Sequence, residues 1–70
     1  MAAYQCFKTK DRDVYCSSTR FRSHAEASVW VGECLAHFGL PASAIRGKPY
    51  ESNDQPANAI IWPDDEDQPD

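Results

Sequence analysis

Apolar and polar positions divide this chain into short blocks with different periods. Ala27, Trp30, Val31, Cys34, Leu35 and Phe38 recur at i, i+3, i+4 spacing and form one stripe of a helix. Ahead of the stripe, Ser23 and Glu26 stand at the spacing of a capping box, in which the serine hydroxyl accepts the third helical amide. Behind it, Gly39 offers a left-handed C-cap and Pro41 prevents continuation. The spacing predicts a helix over 24–38, with His24, Ser28, Gly32, Glu33 and His37 on its outer face.

Shorter, β-prone runs lie on either side. Tyr4–Thr9 and Val14–Ser17 flank the polar cluster 10–13, which reads as a hairpin turn. The second run can extend towards Phe21. Alternation places Tyr4, Cys6, Val14 and Cys16 on one face, and Phe7 and Tyr15 on the other. A three-residue loop brings Cys6 opposite Cys16, and this reading turns both towards the helix, with Cys34. Beyond the helix, Ile45–Tyr50 reads as a strand that Gly47 and Pro49 demote to an edge or bulged segment. Residues 51–56 are turn-like, and Asn58–Trp62 forms a short strand closed by Pro63.

The order is β-β-α-β or β-β-α-β-β. A lone amphipathic helix needs a sheet face to cover. The expected fold is therefore α+β, a three- or four-stranded antiparallel sheet covered on one face by a single helix. Residues 1–63 form one domain. Residues 64–70 have no apolar side chain and read as an acidic, flexible tail.

At 70 residues the chain has little room for a deep substrate cavity beside a core. No apolar run is long enough to cross a bilayer, and the start lacks the pattern of a secretory signal. Three cysteines at low density do not suggest a secreted disulfide scaffold, so free, mostly buried thiols in a bacterial host cytoplasm are expected. Charge is polarised along the chain. Residues 1–48 hold all seven basic side chains and four acids, whereas residues 49–70 hold seven acids and no base.

Catalytic chemistry finds little support. Cys34 and His37 are three apart, but Cys34 lies in the apolar stripe, where a thiol stays protonated. One Cys-x2-His spacing is only half of a zinc site, and three scattered glycines cannot build a phosphate loop. The run 64–67 has neither the alternate ligands nor the glycine of a calcium loop. The expectation is a non-enzyme without metal or cofactor, acting as a monomer.

Two constellations remain. Glu51, Asp54, Asp64, Asp65, Glu66 and Asp67 can present carboxylates to the same Lys and Arg side chains that neutralise phosphates. The partner is then a basic, nucleic-acid-binding protein surface. The alternative is a nucleic-acid-binding module in which Phe7 and Tyr15 stack on bases and Lys8, Lys10, Arg12, Arg20 and Arg22 meet phosphates. The net charge of -4 opposes that alternative.

A short acidic chain with a Ser23–Gly39 helix between short strands, acids from Glu51 onward and no catalytic motif resembles the phage-encoded anti-CRISPR proteins. It is most similar to small acidic inhibitors of type I surveillance complexes. The resemblance is one of format over the whole chain and carries no residue across by motif. It implies stoichiometric inhibition: the protein docks on a Cas subunit and blocks target-DNA binding or PAM reading. The basic N-terminal half departs from a pure DNA mimic, and such a mixed surface implies docking through the exposed sheet face instead, with the acids as a secondary element.

Overall fold

The computed structural model describes residues 2–63, so the run Asp64–Asp67 and the rest of the expected tail lie outside the described residues. Four strands and one helix follow in the order β1 (Ala3–Thr9), β2 (Val14–Phe21), α1 (His24–His37), β3 (Ile45–Ser52) and β4 (Ile60–Trp62), with a 3-10 turn at Ala42–Ala44 before β3. The fold is α+β, one helix packed on a four-stranded sheet of order β3-β1-β2-β4. The sheet is mixed: β1 pairs antiparallel with β2 and β3, whereas β4 lies parallel to β2. The expected all-antiparallel pairing therefore fails at β4. The chain crosses from one sheet edge to the other after Ser52, so β4 enters running the same way as β2 and β3.

The helix begins as its cap residues dictate. Ser23 Oγ accepts the Glu26 amide at 3.1 Å, and Gly39 follows the last turn with φ +68°. Ala27, Trp30, Cys34 and Leu35 form its buried stripe, and the polar outer face is exposed.

The face that α1 covers is the opposite of the expected one. Phe7 and Tyr15 are buried beneath the helix with Trp30, Cys34 and Leu35, and Phe21, Ile45, Ile60 and Trp62 pack against them. The Phe7 and Tyr15 rings stack at 5.1 Å, and Trp30 tilts against Phe7 at 5.8 Å. The Trp30 indole Nε1–H also donates to the Trp62 carbonyl at 2.7 Å, tying α1 to β4. Two large rings offer a helix far more apolar area than two cysteines do, so the aromatic side of the hairpin becomes the core. Alternation separates the two faces without saying which one the helix takes.

Cys6 and Cys16 sit directly opposite each other on the face away from α1, with Tyr50 and Ile61 as their cross-strand neighbours on β3 and β4. Both are fully buried, and their Cα atoms are 4.2 Å apart. They form a disulfide, which corrects the expectation of three free thiols; Cys34 alone is free. Count and density argued for free thiols, but direct opposition in a hairpin register brings two sulfurs together whatever the total.

Two irregularities shape the strands. In β2, two additional residues between Cys16 and Arg20 form a bulge, where Ser17 Oγ accepts the Gln5 amide at 3.0 Å and donates to the Thr19 carbonyl at 2.6 Å. In β3, Gly47 takes φ +78° within a bulge opposite Phe7. β3 is an edge strand, as Gly47 and Pro49 foretold. Arg12, in the β1–β2 turn, adopts φ 72°, a left-handed conformation that costs a non-glycine residue about 1 kcal/mol. On the face away from the helix, Lys8 lies directly opposite Arg46, and such like-charged partners repel.

Trp30 joins the aromatic stack to β4, so Trp30→Ala removes both packing and a hydrogen bond. The substitution is expected to destabilise the domain by about 3–5 kcal/mol. For a domain of this size that lowers Tm by roughly 10 °C or more. A thermal melt followed by circular dichroism checks it, and an unchanged midpoint contradicts the packing described.

Candidate acidic interface

The ends of the sheet differ in charge because the strands run the length of the molecule between them. The β1–β2 turn marks one end, with Lys10 and Arg12 in the turn and Lys8 and Arg46 in the adjoining strand positions. The other end gathers the start of β1, the end of β2, the first turn of α1 and the end of β3. β4 also runs towards it, and Pro63, the last described residue, lines one shallow groove with Arg20, Phe21 and Glu26.

Glu51 and Asp54, two of the residues expected to meet a partner, lie at this second end and are exposed. Glu51 faces Gln5 across β1–β3, and its Oε2 is 3.1 Å from His24 Nδ1. Both side chains are open to water, where such a pair adds little stability and leaves the carboxylate available. Asp54 follows in a tight turn in which its amide donates to Ser52 Oγ at 3.2 Å, and Ser52 Oγ donates to the Asp54 carbonyl at 2.7 Å. These bonds fix the Asp54 backbone, and the residue is exposed. Gln55 fixes the same loop to β2 through Nε2 and the Ser17 carbonyl at 2.9 Å.

Glu26 is a third exposed carboxylate at this end, which the sequence pattern assigned only to helix capping. Arg20 is also here. Its guanidinium lies 5.0 Å from the Tyr4 ring centre and donates to the Asn53 carbonyl at 3.2 Å. That cation braces the loop bearing Asp54. Its stacking on Tyr4 carries no sequence signal, because the β2 bulge sets the register.

The alternative site is not assembled. Phe7 is fully buried and Tyr15 nearly so, which leaves neither ring free to stack on a base. The aromatic platform proposed for nucleic acid at those two positions is therefore withdrawn. Their large rings are what the helix needs to cover.

Cys34 is fully buried, and burial pushes its thiol from 9.0 up to about 12. A thiol so strongly held in its neutral form is a poor nucleophile. Tyr15 is raised above its ordinary value, first by burial and then by the charges of Asp13, Cys34 and Asp11. Among the described residues, no group of three His, Cys, Asp or Glu side chains could hold a metal ion, and no helix is long and apolar enough to cross a membrane. No protein-family model matches the chain, and no curated protein or solved structure matches it.

The Cys34 shift fixes the sign of a pH dependence. The folded state keeps the proton that the unfolded chain releases near pH 9, so stability is full below about pH 9 and falls as pH rises towards about 12. Tyr15 acts in the same direction from a higher starting value. Urea midpoints measured at about pH 8 and about pH 11 should show a decline that is smaller in Cys34→Ala. An equal decline in both proteins contradicts the assignment.

Proposed function

We propose that this protein is a non-catalytic inhibitor that binds the nucleic-acid-binding surface of another protein, with carboxylates standing in for phosphates. The observation that carries this reading is that Glu51 and Asp54 are exposed at the end of the sheet towards which β4 runs, where Pro63 lines a groove with Glu26. From Pro63 the sequence continues into Asp64, Asp65, Glu66 and Asp67. The cluster Lys8, Lys10, Arg12 and Arg46 lies at the far end, while Arg20 and Arg22 stand among the carboxylates of the near one. A molecule polarised in this way is turned acidic end first by a basic surface, which speeds a productive encounter and makes the rate fall with salt.

The chemistry of the interior supports a role without catalysis. The one free thiol is protonated and sealed in the core. The imidazole of His24 is exposed and engaged with Glu51, and that of His37 stacks on Trp62 at 4.8 Å. The resemblance to small acidic anti-CRISPR proteins narrows the partner to a Cas subunit of a type I complex, with loss of target-DNA binding as the consequence.

The test is titration of the protein into a purified type I surveillance complex, with capture of target DNA read by gel shift. Inhibition is expected to be complete near equimolar protein. A variant carrying Glu51→Lys, Asp54→Lys, Asp64→Lys, Asp65→Lys, Glu66→Lys and Asp67→Lys should inhibit at least roughly tenfold more weakly, about 1.4 kcal/mol, while its Tm stays near the parent's. Equal potency of the two proteins defeats the phosphate-mimic mechanism. Undisturbed DNA capture at excess protein defeats the assignment to a type I complex.

A further inference from the structure

At the opposite end of the sheet, three cations occupy positions that local structure disfavours. Lys8 and Arg46 are direct cross-strand partners on β1 and β3, so their side chains leave the same face side by side. Both are exposed, and neither forms an ion pair among the described residues. Arg12 holds the left-handed turn position, with φ 72°, where glycine or asparagine would sit without strain. Lys10 is fastened beside them, its backbone amide donating to the Ala44 carbonyl at 2.9 Å. The like-charged pair does not serve the fold and becomes favourable once a polyanion lies across this end. Arg12, by contrast, closes the turn, its amide donating to the Thr9 carbonyl at 3.0 Å, and is exposed there.

We propose that the hairpin end is a binding site for single-stranded nucleic acid, formed by Lys8, Lys10, Arg12 and Arg46, with Tyr50 beside Lys8. Four cations there outnumber the two carboxylates of the same turn, Asp11 and Asp13. Phosphates would bridge Lys8 and Arg46 and turn their repulsion into shared attraction. Tyr50 lies on the same face, opposite Cys6, and the Lys8 ammonium is 5.9 Å from its ring centre. A partly exposed ring beside the Lys8 ammonium suits the exposed face of an unpaired base, which favours a single strand over a duplex or an acidic protein. Tyr50 borders a cleft that Glu51 also lines, whereas the four cations lie at the hairpin end, so this proposal does not rest on the carboxylates.

The test uses the full chain and a fluorescein-labelled oligothymidylate of about twelve nucleotides, with binding followed by anisotropy. With about three phosphates neutralised, raising salt from about 50 to about 200 mM should weaken binding by roughly 10- to 20-fold. Arg46→Glu replaces repulsion with attraction across the strands. It should keep or raise Tm while reducing oligonucleotide affinity at least tenfold, a split that a merely structural role would not produce. Absence of binding at low salt, or wild-type affinity in Arg46→Glu, overturns the proposal. Equal binding of a poly-glutamate peptide, or of duplex DNA of the same length, overturns the assignment to a single strand. The charge reversals at the acidic end should leave this binding in place.

Discussion

The indole of Trp30 decides the architecture. It rests on the Phe7–Tyr15 stack, touches Phe21 and donates its N–H to the Trp62 carbonyl, so one side chain ties the helix to the hairpin and to the last strand. Once that side of the hairpin is taken as core, the other must carry what alternation leaves over. Cys6, Cys16, Tyr4, Lys8, Arg20 and Tyr50 therefore share the face away from the helix. The disulfide, the cation–aromatic pairs and the repelling Lys8–Arg46 pair all follow from that choice of face.

A domain of this size buries little apolar surface, and the means by which it reinforces itself are visible. The Cys6–Cys16 bond closes a loop of sequence separation 10 within the hairpin, which restricts the unfolded chain. Buried polar groups are matched: no buried side-chain nitrogen or oxygen among the described residues lacks a partner. Gln5 and Ser17 are polar and buried in the sheet, and both are satisfied: Gln5 Nε2 donates to the Tyr50 carbonyl, and Ser17 Oγ accepts the Gln5 backbone amide and donates to the Thr19 carbonyl.

Local signals in the sequence were dependable where one residue type has one use. The helix, its serine cap, its glycine stop and the edge character of β3 could all be read from Ser23, Gly39, Gly47 and Pro49. Relations between distant elements could not. Period two separates Phe7 from Cys6 but does not say which one meets the helix; only the area each face offers decides that. The parallel entry of β4 depends on the path of a connection, which composition does not encode. The disulfide was half legible, since the register already placed Cys6 against Cys16, and the count of three concealed it. Of the carboxylates in the proposed site, Glu51 and Asp54 can be picked out by charge alone, whereas the position of Glu26 beside them and the bracing Arg20 depend on how the strand ends come together.

Glu26, Glu51 and Asp54 share one end of the small sheet with Arg20 and Arg22, whereas Lys8, Lys10, Arg12 and Arg46 share the other with Asp11 and Asp13, and the account of function depends on which end meets a protein. Hydrogen exchange read by mass spectrometry, on the protein alone and bound to a DNA-free type I complex, addresses this directly. The account predicts slowed exchange in residues 51–63 and in the acidic run that follows, with the 8–14 hairpin unchanged. Protection confined to the hairpin, with the acidic end exchanging as it does in free protein, would contradict it.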